Sequence, residues 1–143
     1  MLGGVPLHPA LVHLPLVLWL LAPVLGLWAC LSHEQLLWQL SYWSVIAGCF
    51  SALPAMFAGV LDAISVEAGD ELQHDLHMHS GMMSAAWCLF AVIPVVIEQL
   101  PPEGGKLVTF FLLQIAGVIL MSLGAHVGGR LTYKHRMPNP GPE

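Results

Sequence analysis

At 143 residues the chain is long enough for one domain; 57% of it is apolar and only 9% charged. A water-soluble domain carries roughly 25% charged residues and cannot hide this much apolar surface, so the composition points to an integral membrane protein. The net charge of −5 comes with only four Lys and Arg in total, too few for a basic stripe that neutralises phosphates, so nucleic acid is not an expected partner.

Crossing the hydrocarbon core takes about 20 apolar residues as a helix. Stretches of that size without Lys, Arg, Asp or Glu run from about Ala10 to Leu31, Ser41 to Leu61, Met78 to Ile97 and Leu107 to Val127. No Lys or Arg precedes the first span and no small-residue cleavage site follows it, so a removable signal peptide is not expected. The connections SHEQLLWQL (32–40) and EQLPPEGGK (98–106) are short enough to make their flanking helices antiparallel neighbours. The middle connection, DAISVEAGDELQHDL (62–76), is longer. Its second half extends the third helix into water, with Asp70 and Glu71 suited to a first turn.

The expected fold is therefore all-α, an integral membrane four-helix bundle with up-down-up-down topology. It occupies residues 1–137 as a single domain and leaves PNPGPE (138–143) as a flexible tail. Pro15, Pro23, Pro54 and Pro94 fall inside spans, as membrane helices tolerate. Trp28, Trp38, Tyr42 and Trp43 cluster near one interface as an aromatic belt. Cys30, Cys49 and Cys88 lack C-x-x-C spacing and read as small buried hydrophobes. No internal repeat at a fixed period is evident.

Helix order converts sequence position into membrane side. With the N-terminal face called side A, His8, His13, His74, His77, His79, His126 and His135 all belong to side A, which leaves only His33 of the eight histidines on side B. An imidazole in hydrocarbon needs a partner, so such residues are functional candidates. His13 lies roughly 5 Å inside the first span at 1.5 Å per residue. His77 and Gly81 share a helix face, where the glycine opens space beside the ring. Asp62 serves either as a helix-end residue or as the acceptor that fixes a histidine tautomer. Met56, Met78, Met82, Met83 and Met121 are packing filler or soft ligands. There is no G-x-S-x-G, no H-E-x-x-H and no phosphate-binding glycine loop, so hydrolase and nucleotide chemistry lack support.

The segment LHPALVHLP (7–15) resembles the His-Pro-x-x-Val-His-x-Pro signature of a bacterial family of four-helix membrane proteins of unknown function. FAGVLDA (57–63), HMHSG (77–81) and GAHVGGRLTYKHR (124–136) are similar to its later motifs, although Arg136 stands where one branch of the family has glycine. Some members are joined to Rieske-type iron–sulfur or cytochrome c domains. The resemblance thus implies electron transfer at the bacterial inner membrane.

Three functions follow as expectations. The first is an electron carrier with haem b held by His13 and His77, with His126 as the substitute and His79 and His8 as further cofactor-binding candidates, exchanging electrons with a quinone or a partner redox protein. The second is a zinc- or copper-binding protein using His13 and His77 with the methionines. The third is a non-catalytic subunit of a larger or oligomeric assembly. In none of them does the chain supply catalytic groups of its own beyond the cofactor. Lys and Arg near helix ends favour side A, with Arg130, Lys134 and Arg136 against Lys106 on side B, which places both termini in the cytoplasm.

Overall fold

The computed structural model describes residues 7–64 and 69–133. They form α1 (Leu7–Leu11), α2 (His13–Ser32), α3 (Gln35–Ile64), α4 (Asp70–Val96) and α5 (Gly104–Tyr133). Among the described residues there is no strand, and α2 to α5 are each long and apolar enough to cross a membrane. Backbone N–H and C=O groups in lipid must be satisfied within a segment, and uninterrupted helices do this. Pro23, Pro54 and Pro94 lie inside α2, α3 and α4 without ending them.

The helices overrun the apolar stretches at their ends. Only His33 and Glu34 separate α2 from α3, so most of the expected connection 32–40 is helix. The reversal is made by His33 in the left-handed region at φ 59°, its N–H donating to the Ala29 carbonyl. The N-terminal segment, by contrast, carries one irregular residue, Val12, which keeps right-handed helical angles. α1 ends at Leu11 and a turn at Val12 precedes α2. Asp70 and Glu71 do open α4, which begins after Gly69. The tail 138–143 and His135 lie outside the described residues.

The bundle is two hairpins, α2–α3 and α4–α5, each packed closely along its length and touching the other more sparingly. A buried hydroxyl ties the first, Ser41 Oγ donating to the Ala22 carbonyl at 2.7 Å. Trp87 Nε1 reaches across to the Cys49 carbonyl at 3.1 Å and joins α4 to α3. The core holds Trp19, Val45, Phe90, Ile93 and Phe110, all at most 1% exposed. Leu14, Val17, Phe50, Phe57 and Val95 point outward, as lipid-facing residues must. Trp28 and Trp43 are exposed as a belt requires, but Trp38 is buried against Phe110 and Phe111 and belongs to the core. Of the cysteines, Cys49 is buried, Cys30 is half-buried, and Cys88 is exposed on the outside.

The hairpins repeat each other. His8, Trp19 and Pro23 in the first correspond to His79, Phe90 and Pro94 in the second, all 71 positions on (8 to 79, 19 to 90, 23 to 94). Gly48, Ala55 and Gly59 of α3 correspond to Gly117, Gly124 and Gly128 of α5, all 69 positions on (48 to 117, 55 to 124, 59 to 128). Corresponding residues meet their counterparts: Trp19 stacks on Phe90 with centroids 4.6 Å apart and planes within 6°. Each ring also lies over the glycine of its own hairpin, Trp19 over Gly48 and Phe90 over Gly117. This is the contact pattern of an approximate two-fold axis running along the bundle. No fixed period exposes it, because the offset changes from 71 to 69 between the two helices of the hairpin and the matched side chains differ.

Candidate functional site

A helix carbonyl already accepts the N–H four residues on, and a second donor reaches it only if the side chain at that later position leaves room. Gly59 follows Ala55 by four, and Gly128 follows Gly124 by four. In both places an imidazole uses the opening. His8 Nδ1–H donates to the Ala55 carbonyl at 2.7 Å, and His79 Nδ1–H donates to the Gly124 carbonyl at 2.8 Å. A Cβ on Gly59 would lie 3.0 Å from His8 Nδ1, and one on Gly128 would lie 2.9 Å from His79 Cε1. Carbonyls only accept, so both rings carry their proton on Nδ1, and in the neutral form each Nε2 keeps its lone pair.

The two rings meet across the axis with centroids 6.1 Å apart and planes at 88°. His79 stands roughly 14 Å along α4 from its first residue at 1.5 Å per residue, at the start of the apolar stretch that begins at Met78. Both rings line a cavity of about 910 Å³ at the side A end of the bundle, bounded by α1 to α5, with Trp19 at its inner end. That is near the top of the roughly 300–1,000 Å³ usual for ligand pockets. Its other polar side chains include His13, Asp62, His77 and Tyr133, and Met56 and Met83 add thioethers.

The sequence reading pairs His13 with His77. Both line the cavity, but the histidines in ring contact are His8 and His79. His13 and His77 are exposed side chains on the outer part of α2 and α4. His126 is exposed and does not line the cavity, since on α5 the inward positions are taken by Gly124, Val127, Gly128 and Leu131. His74 is exposed as well. Gly81 has open space around its Cβ position, so the glycines that make room for imidazoles are Gly59 and Gly128. The missed signal was the shared spacing of a small residue and a glycine four positions later in α3 and α5.

Near the cavity, Arg130 Nη2 pairs with Asp75 Oδ1 at 2.8 Å, the carboxylate side chain being 2% exposed and the guanidinium 45%. This ion pair clamps the start of α4 to the end of α5. Among the described residues, no three His, Cys, Asp or Glu side chains converge as one metal site.

The fold and this site define a polytopic, four-helix membrane protein with a histidine pair between two repeated hairpins. Residues 4–140 match the family model described as Predicted membrane protein (DUF2231), and the chain belongs to that family. No curated protein and no solved structure matches it.

Proposed function

We propose that the protein is a membrane electron carrier that holds b-type haem between His8 and His79. The observation that carries this reading is the pair itself: two imidazoles from different hairpins, each with Nδ1 committed to a helix carbonyl and 6.1 Å between ring centroids. With Nδ1 occupied in both rings, each Nε2 keeps the lone pair that a haem iron would take from a histidine. Backbone acceptors on the second nitrogen are the usual way a ligating histidine is oriented. Haem needs only two protein ligands, because the porphyrin supplies the rest, and this suits a site with no third His, Cys, Asp or Glu ligand among the described residues. When bound, the haem would supply one-electron chemistry. The chain's part is to hold the two imidazoles, exclude water with the Trp19–Phe90 stack and present an apolar wall.

Copper is the second reading, favoured by Met56 and Met83 on the same cavity. The electron partner is a membrane quinone or a redox domain of another protein. The chain sits in the inner membrane of a bacterium with both termini in the cytoplasm, supported by the excess of Arg130, Lys134 and Arg136 on side A over Lys106 on side B.

Expression with ample haem, purification in detergent, then an absorption spectrum and a metal analysis test the reading together. A Soret band supports haem. Copper without a Soret band supports the second reading, and neither chromophore nor metal overturns both.

A further inference from the structure

The two-fold relation sorts the cavity's polar residues into two sets. His8 and His79 obey it, each with a counterpart in the other hairpin. His13, Asp62 and His77 break it: the corresponding positions hold Ser84, Leu131 and Pro6. Residues that build the repeated frame recur in both halves, so the three that do not recur serve something asymmetric. All three line the cavity at its side A end, drawn from α2, α3 and α4. None of the three side chains is engaged in a hydrogen bond among the described residues. They do not gather as a metal site, so an organic ligand fits them better than an ion.

The walls say what kind of ligand. Val12, Leu16, Ala52, Val60 and Leu76 make most of the lining apolar, in a bundle whose outer surface is lipid-facing. An occupant of this site is lipophilic along its body and carries hydrogen-bonding groups at its head. The imidazoles can donate or accept, and the carboxylate accepts, which matches a head whose oxygens alternate between carbonyl and hydroxyl.

We propose that His13, Asp62 and His77 form a headgroup site for a membrane para-quinone and its quinol, beside the His8–His79 pair. Imidazole N–H groups donate to the quinone carbonyls, and Asp62 or a neutral imidazole accepts from the quinol hydroxyls. The proposal deepens the redox reading of the same cavity and rests on it for its purpose, but the binding is tested by itself.

The test is equilibrium binding of two probes, decyl-ubiquinone and a short-chain menaquinone, to the purified protein, followed by quenching of tryptophan emission. Saturable binding of either probe is expected, and which one binds assigns the head as benzoquinone or naphthoquinone. The double variant His13→Asn/His77→Asn should weaken it by about tenfold or more, the scale of two lost neutral hydrogen bonds, and Asp62→Asn should weaken binding of the same probes in their reduced quinol forms by as much, the scale of one lost charge-assisted bond. His33→Ala should bind as the wild type does. Retention of the wild-type circular dichroism and absorption spectrum by the variants separates a lost headgroup site from a lost fold. Saturation by neither probe, or wild-type affinity in both the Asp62 and the histidine variants, overturns the proposal. Quinone binding without any haem would instead sink the His8–His79 reading and leave the headgroup site standing.

Discussion

Gly128→Ala should release His79 from its carbonyl, whereas Gly129→Ala, one residue on, should not. At Gly128 the new Cβ would stand 2.9 Å from His79 Cε1 and 3.0 Å from Nδ1. Carbon contacts settle at about 3.5–4.0 Å, so the ring has to retreat by roughly 0.6 Å or more, from 2.9 to at least 3.5 Å. Added to a bond now 2.8 Å long, that retreat carries the Nδ1–H beyond hydrogen-bond range. Overpacking of this kind costs about 1–3 kcal/mol, and the lost bond about 1 kcal/mol. The alanine gains back about 0.5–1 kcal/mol of helix propensity, which leaves a net loss of about 1–3.5 kcal/mol. At Gly129 nothing lies within 4 Å of the Cβ position, and the propensity gain alone remains. Thermal unfolding in detergent measures the difference, and the imidazole ¹⁵N shifts of His79 report whether Nδ1–H is still bonded. If Gly128→Ala proves as stable as Gly129→Ala with unchanged His79 shifts, the argument that the glycine opens the carbonyl to the ring is wrong.

The aromatic stack makes a parallel case in both halves. Gly48→Ala would place a Cβ 2.5 Å from Trp19 Nε1, and Gly117→Ala would place one 2.7 Å from Phe90 Cε2. Each should destabilise by about 1–3 kcal/mol in the same unfolding assay. Arg130→Gln removes the ion-pair partner of a carboxylate that is 2% exposed. Fully buried pairs lose 3–5 kcal/mol on such a change; because the guanidinium is 45% exposed, about 1–2 kcal/mol is expected, read as a lower melting temperature. His126→Ala, on an exposed position outside the cavity, should leave both stability and spectrum unchanged.

The four spans were legible because the solvent dictates them: an uncharged run of about 20 residues has few alternatives to a membrane helix. The side A location of the histidines followed from helix order alone. The pairing did not. His13 and His77 stood out by motif and by position near helix starts, yet which histidines touch depends on where the two hairpins cross. That crossing is set by Trp19 against Phe90 and by the small residues of α3 and α5. A side-by-side reading of the halves would have found it, since His8, Trp19 and Pro23 share their spacing with His79, Phe90 and Pro94. Trp38 misled for a similar reason, because a tryptophan near an interface reads as belt until the phenylalanines that cover it are placed.

The assignment of one haem to His8 and His79 is tested most directly by the haem content per chain of His8→Ala and His79→Ala beside His13→Ala and His77→Ala. A chromophore is expected in the wild type, with its loss or conversion to a weakly held form in each of the first two variants, and little further loss when both are combined, as coupled residues require. An unchanged Soret band and haem content in the His13 and His77 variants would complete the assignment. Full haem content in His8→Ala and His79→Ala, with loss confined to His13→Ala or His77→Ala, would contradict it.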